Sequence, residues 1–217
     1  MEPILRSKNV AKSFGNGNNS RRVLRDINIS LHQRETVLIT GKSGAGKTVL
    51  LWLLSGLDSP DFGKIILGNG SNGNPGHITR GIIFQNYNLI ASWTVFENVE
   101  FGLRAMQPSR KKRVELTQEM LHSLHLENHA TNFPIELSHG QQQRVAIART
   151  LIAPPTIIFA DEPTGGVDQE SSGELLNLLI ACAKKNNSTL VVASHGLLSP
   201  GMFDRGFVLN EGMLDQR

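Results

Sequence analysis

Eight consecutive residues, Gly41-Lys42-Ser43-Gly44-Ala45-Gly46-Lys47-Thr48, fit the spacing G-x-x-x-x-G-K-[ST] without a mismatch. The chemistry such a loop can do is the binding of a polyphosphate. Glycines open backbone dihedrals that other residues avoid, so successive N–H groups can converge on an anion. A helix starting at the loop adds partial positive charge at its N-terminus. Lys47 supplies a full charge for β- and γ-phosphates, and the Thr48 hydroxyl is placed to ligate Mg²⁺. The flanks agree. Thr36-Val37-Leu38-Ile39-Thr40 reads as a buried strand, and Val49-Leu50-Leu51-Trp52-Leu53-Leu54 as an apolar helix.

A second element lies far downstream. Ile157-Ile158-Phe159-Ala160 is an apolar strand that ends in Asp161-Glu162. In parallel α/β sheets, ligands sit at the carboxyl ends of the strands. Asp161 is therefore expected at the same edge as Lys47, as a Mg²⁺ site working through the ion's water shell. Glu162 is then placed to orient or deprotonate a water attacking a γ-phosphate. An acidic turn after a strand is the ordinary alternative, and the glycine loop decides against it. A third element, Ser138 with Gln141, has the S-x-x-Q spacing of a capping box at a helix start. Free N–H groups, a hydroxyl and Gly140 there make another place for an anion.

These residues need a scaffold, and the rest of the chain supplies its signals. The 217 residues suffice for one sizeable domain, with 39% hydrophobic and 19% charged residues. No apolar run approaches the length of a membrane span. Met1-Glu2-Pro3-Ile4 does not read as a secretory leader, and the single Cys182, placed in the core, fits a reducing compartment. The net charge of +3 decides little. Basic residues are not interleaved with aromatics, so nucleic-acid binding has no support. The cluster Arg110-Lys111-Lys112-Arg113 reads as a solvated helix face, with contact to lipid head groups or an acidic partner as the sharper alternative.

Short strands are expected at 4–10, 23–31, 63–67 and 81–84. Loops are expected at 15–20 and 68–76. Helical spacing runs from about Asn88 to about 153, with helices beginning near Ser109 and at Ser138 and breaks at Pro134 and Pro154-Pro155. The strand 156–160, the helix 170–185 and the strand 189–193 imply a parallel βαβ unit, and residues 205–214 read as a final hairpin. The expected fold is α/β. A P-loop NTPase core with a mostly parallel sheet carries an N-terminal antiparallel β subdomain and an inserted helical subdomain at about 88–153, within a single domain of residues 1–217.

Leu137-Ser138-His139-Gly140-Gln141, followed by Gln142-Gln143-Arg144-Val145-Ala146-Ile147-Ala148-Arg149, resembles the signature L-S-G-G-Q of ATP-binding cassette (ABC) transporter subunits. Together with the loop and Asp161-Glu162, the resemblance covers nearly the whole chain. It implies an ATPase with ATP and Mg²⁺ as ligands. Two copies, or one copy and a related subunit, would pack head to tail, with Ser138, Gly140 and Gln141 of one facing the triphosphate on Lys47 of the other. It implies a permease partner on a separate chain and a place on the cytoplasmic face of the cell membrane. Gln85 resembles a glutamine that touches Mg²⁺ or the attacking water. His195 resembles a switch histidine at the γ-phosphate, and Asp168 an aspartate at the subunit seam. Phe14 resembles the aromatic that stacks on adenine, or else is a core residue.

Three segments depart from the family pattern. His139 replaces the first glycine of the signature pair, Gly166-Val167 is atypical, and Gly196 stands where Asp is common. None removes a catalytic group, so an active hydrolase is expected. Asp161-Glu162-Pro163-Thr164-Gly165 resembles the lipoprotein-release and macrolide-export type, which is the preferred reading. Residues 76–85 and 92–99 look more like nitrate, sulfonate or taurine importers. A mechanotransmitting ATPase of cell division or envelope remodelling shares all these motifs. A repair or translation ATPase is disfavoured by the absence of a coiled-coil insertion or a tandem cassette. A P-loop kinase is disfavoured by the signature segment.

Overall fold

The computed structural model describes residues 2–15, 20–68, 78–166, 169–195, 198 and 200–216, with side chains excluded at 169–171 and 200. The chain divides into two units. The first comprises Met1–Ile82, Thr156–Glu162 and Ala183–Arg217; the second comprises Ile83–Pro155 and Pro163–Cys182.

In the first unit β1 (Leu5–Phe14) pairs antiparallel with β2 (Arg21–Leu31) and with β4 (Phe62–Leu67). Only the end of β2 shows alternation in the sequence, and the register explains why. Val10 faces Ile27 while Lys12 faces Leu24, so β2 spends one residue more than β1 over this stretch. That bulge, with Asp26 in the left-handed region at φ 47°, resets the pleat. Leu24, Ile27, Ile29 and Leu31 then all reach the core despite their uneven spacing.

The second sheet of this unit has the order β5-β6-β7-β3-β8-β9. Its strands are β3 (Thr36–Thr40), β5 (Arg80–Ile83), β6 (Ile157–Asp161), β7 (Thr189–Ser194), β8 (Arg205–Asn210) and β9 (Met213–Gln216). β6, β7, β3 and β8 run parallel, and β9 returns antiparallel along β8 as the expected hairpin. Every residue of β6 and β7 is buried, as strands covered on both faces require. The register sets Thr40 beside Ser194 and Asp161 beside Ala193. The carboxyl ends of β3, β6 and β7 therefore share one edge. Helix α1 (Lys47–Ser55) leaves that edge and buries Leu50, Leu51, Leu53 and Leu54 in the same core as Ile39, Phe159, Val191 and Phe207.

The second unit is helical. It holds α2 (Val95–Glu100), a 3₁₀ turn at Phe101–Met106, α3 (Arg110–Ser123), α4 (His139–Leu151) and most of α5 (Gln169–Lys185). Val95, Val99, Leu103, Leu121, Leu124, Val145, Ile147 and Leu151 are buried. The basic cluster forms the first turn of α3, where Arg113 pairs with Glu100 at 3.0 Å and Arg110 and Lys111 are exposed. Cys182 is half-buried rather than a core residue, because the helical period gives the core row of α5 to Leu175, Leu176, Leu179 and Ala183. Most of the two expected loops, residues 16–19 and 69–77, lies outside the described residues.

One polar side chain organises this unit. Asn98 is fully buried; its amide donates to the carbonyls of Ile90, Trp93 and Thr94, and its Oδ1 accepts from Ile90 N–H at 2.8 Å. Removing it takes the side-chain partner from the Ile90 N–H and the Trp93 carbonyl, while the Ile90 and Thr94 carbonyls keep the N–H groups of Trp93 and Asn98. Asn98→Ala is expected to cost about 3 kcal/mol, seen as a lower urea midpoint. A wild-type midpoint would contradict this role.

Candidate active site

The loop between β3 and α1 is shaped by two close approaches. A Cβ on Gly41 would lie 2.5 Å from the Leu209 carbonyl oxygen, so no side chain fits there. Gly46 has φ 101° and sits against Val23 and Leu24, again with no room for a Cβ. Gly46 is the N-cap of α1, and no side chain caps the helix. Its first N–H groups are thus left to an outside acceptor. Lys42, Ser43 and Gly44 are exposed, while Ala45 and Thr48 are half-buried.

Lys47 is buried, and its ammonium is held by the loop itself. It donates to the carbonyls of Gly41 at 3.0 Å and Lys42 at 3.3 Å. It also faces Glu162 Oε1 at 3.4 Å. The other oxygen of Glu162, Oε2, accepts from the His195 backbone N–H at 3.1 Å and lies 2.7 Å from His195 Nδ1. Glu162 is itself buried, whereas the His195 side chain is exposed. The backbone of Glu162 is left-handed at φ 47°, pinned by its N–H to the Ala193 carbonyl. A non-glycine residue held in that region marks a place where position outweighs local comfort.

Asp161, one residue earlier, is only 4% exposed and its Oδ1 has no hydrogen-bond partner. Burial pushes its carboxyl above the usual carboxylate range, with neighbouring Glu162 adding to the rise; the Thr48 hydroxyl and Lys47 oppose it. A buried acid, short of partners and touching a hydroxyl, is a donor set of hard oxygens.

Beside the loop is a cavity of about 500 Å³, lined by Arg21, Arg22, Val23, Arg25, Gly44, Ala45, Glu211 and Gly212. No sequence motif marks it, since its arginines on β2 approach the loop only through tertiary packing. Phe14 is paired directly with Arg21 across β1 and β2 and is 43% exposed. It is not a core aromatic. Its flat face is available, with Lys12 Nζ 5.6 Å from the ring centroid.

Ser138 and Gln141 lie in the second unit. Ser138 Oγ accepts from Gln141 N–H at 3.3 Å, and Gln141 Oε1 accepts from Ser138 N–H at 2.9 Å, completing the capping box at the start of α4. Gln141 also meets His129 Nε2 at 3.0 Å. Gly140 is half-buried in that first turn. Gln85 follows β5 and is exposed, and it too belongs to the second unit. Within the first unit the fold thus brings together Gly41–Thr48, Asp161, Glu162 and His195. Asp168 lies outside the described residues.

The family model described as ABC transporter matches residues 24–165. The chain belongs to the ABC transporter family. It is 38% identical to the lipoprotein-releasing system ATP-binding protein LolD of Rickettsia bellii, across 98% of this chain and 97% of that one. It is 41% identical to the ABC transporter ATP-binding protein YtrE of Bacillus subtilis, across 88% and 87%. Among solved structures, a dimer of the ATP-binding cassette MJ0796 in a post-hydrolysis state bound to ADP and Pi superposes with a TM-score of 0.87. That match is 32% identical and covers 98% of this chain and 97% of that one. As an ABC transporter ATP-binding subunit, the chain binds and hydrolyses ATP to drive transport. Among the described residues no helix is long and apolar enough to cross a membrane.

The raised pKa of Asp161 has a consequence for this ABC subunit. The folded protein holds the proton to higher pH than the unfolded chain, so stability falls as pH rises through that window and stays lower above it. Asp161→Asn removes the buried charge. It is expected to flatten this fall and to leave thermal stability above pH 7 in the absence of divalent ions equal to or above wild type. A lower melting temperature for Asp161→Asn across the same range would contradict the assignment.

Proposed function

We propose that two copies of this chain, or one copy and a related subunit, bind MgATP head to tail and clamp on it, driving a permease encoded on a separate chain. In this reading the Gly41–Thr48 backbone cradles the phosphates, Lys47 contacts the β- and γ-phosphates, and Phe14 stacks on adenine. Ser138, Gly140 and Gln141 of the partner close over the γ-phosphate. Asp168 lies at the seam. Lys47 has one ammonium and two claimants. A γ-phosphate oxygen beside it competes with Glu162, freeing that carboxylate to accept a proton from a water lined up on phosphorus. His195 holds Glu162 from the far side and reports on the γ-phosphate, and Gln85 contacts the water or the ion.

The buried oxygen of Asp161 and the Thr48 hydroxyl fit a magnesium ion, and the family resemblance adds Gln85 as a further donor. When bound, the ion would neutralise charge that develops between the β- and γ-phosphates. The observation that carries the reading is the run of contacts Lys47–Glu162–His195 at the edge where β3, β6 and β7 end. Likeness to the lipoprotein-releasing relative over nearly all of both chains supports a membrane partner of that type. The subunit then sits on the cytoplasmic face of the membrane, held there by the permease.

Glu162→Gln is expected to keep ATP binding, accumulate a closed dimer and lose at least about a hundredfold in turnover, the scale of a lost general base. Wild-type hydrolysis by this variant would remove Glu162 from the chemistry. Lys47→Ala is expected to weaken ATP binding about tenfold or more, the effect of losing one charge-assisted phosphate contact. Unchanged affinity by calorimetry would count against the loop assignment.

A further inference from the structure

His139 puts an imidazole where the family has a glycine, on the turn that the preceding reading turns toward a partner's triphosphate. We propose that Tyr87 holds this imidazole back within its own subunit and so keeps the turn clear. The proposal rests on the two-copy reading and adds to it a residue that governs closure.

The geometry is specific. His139 Nδ1 lies 3.2 Å from the Tyr87 hydroxyl, and the rings meet edge to face with centroids 6.2 Å apart. Tyr87 is 8% exposed, while His139 is exposed, so the tyrosine is the fixed member of the pair. Its fixation does not depend on His139. Tyr87 and Asn88 are both left-handed, at φ 61° and 48°, and both their carbonyls are taken by the guanidinium of Arg149 at 2.7 Å. Arg149 lies near the far end of α4, the helix that His139 begins. The helix therefore grips Tyr87 twice, at its carbonyl through the Arg149 guanidinium and at its hydroxyl through the imidazole. Burial also raises the Tyr87 phenol pKa, so the hydroxyl keeps its proton and one hydrogen bond with His139 survives in either imidazole tautomer. Gly166, left-handed at φ 78°, borders the pair: a Cβ there would only make ordinary contact, 3.6 Å, with His139 Nδ1 and the Tyr87 hydroxyl oxygen. Two of the departures from the family pattern, at His139 and Gly166, thus lie beside one phenol.

An imidazole released from this contact regains rotamers that sweep over the first N–H groups of α4. Those groups are what a triphosphate would approach. Tyr87→Phe keeps the ring and removes the bond. His139→Gly removes the obstacle and restores the family residue.

The test is ATP-driven dimerisation, read by light scattering in the Glu162→Gln background. Tyr87→Phe is expected to raise the ATP concentration needed for half-dimerisation about three- to tenfold, the range set by one hydrogen bond. Adding His139→Gly is expected to restore the parent value, while ATP binding by the monomer stays unchanged throughout. His139→Leu, which leaves Tyr87 alone, is expected to weaken dimerisation as Tyr87→Phe does. Parental dimerisation by His139→Leu, or a Tyr87→Phe defect that His139→Gly does not suppress, overturns the proposal. If the Glu162→Gln parent binds ATP without dimerising, the two-copy reading falls and takes this proposal with it. Suppression by His139→Gly separates the outcomes, since a general loss of folding would not be reversed by it.

Discussion

Lys47 and Glu162 face each other at 3.4 Å, both nearly excluded from water. Removing two charges from water is costly unless each finds good partners. Here the partners are explicit. The ammonium takes two loop carbonyls, and the carboxylate takes the backbone and ring of His195. Each partner comes from a different strand end. The constraint therefore runs through the whole first unit. β3 must deliver the loop, β6 the carboxylate and β7 the histidine, and the parallel register must bring all three out at one edge. The left-handed backbone of Glu162 is the local cost of that convergence.

Asp161 shows the same logic. An acid buried with one oxygen short of partners weakens the fold, and nothing in core packing calls for it. Its hydrogen-bond partner, the Thr48 hydroxyl, is one a phosphate-bound divalent ion would share. Stability is given up where chemistry is proposed to occur. In the second unit Gln143 is likewise buried with both side-chain polar atoms unpartnered, but two other polar elements go the opposite way. Asn98 and the capping box of Ser138 and Gln141 satisfy every group they touch, which suits a helix start that must hold its shape.

The motifs were readable in the sequence for a physical reason. A phosphate cradle is built from adjacent residues, so Gly41–Thr48 carries its own signal, and the box between Ser138 and Gln141 closes within one turn. The alternating end of β2 and the βαβ unit around α5 were likewise local. What escaped depends on packing between distant residues. The bulge at Asp26 hid the first half of β2. The arginines beside Gly44 became neighbours of the loop only through the sheet. Phe14 had no burial until its strand was placed. The apolar neighbours of Cys182 point to the core, and helical phase turns it aside. Tyr87 carried no motif at all, and its meaning lies in what it touches.

The head-to-tail site is tested most directly by mixing two inactive variants. One copy carries Lys47→Ala and the other Ser138→Arg. If each site joins the loop of one copy to the signature turn of the other, the mixed dimer contains one site free of both substitutions. ATP hydrolysis is then expected to reappear on mixing. A copy carrying both substitutions, mixed with wild type, is expected to give a mixed dimer with no intact site. The reverse pattern, no recovery in the first mixture and half activity in the second, would place each complete site within a single copy and contradict the account.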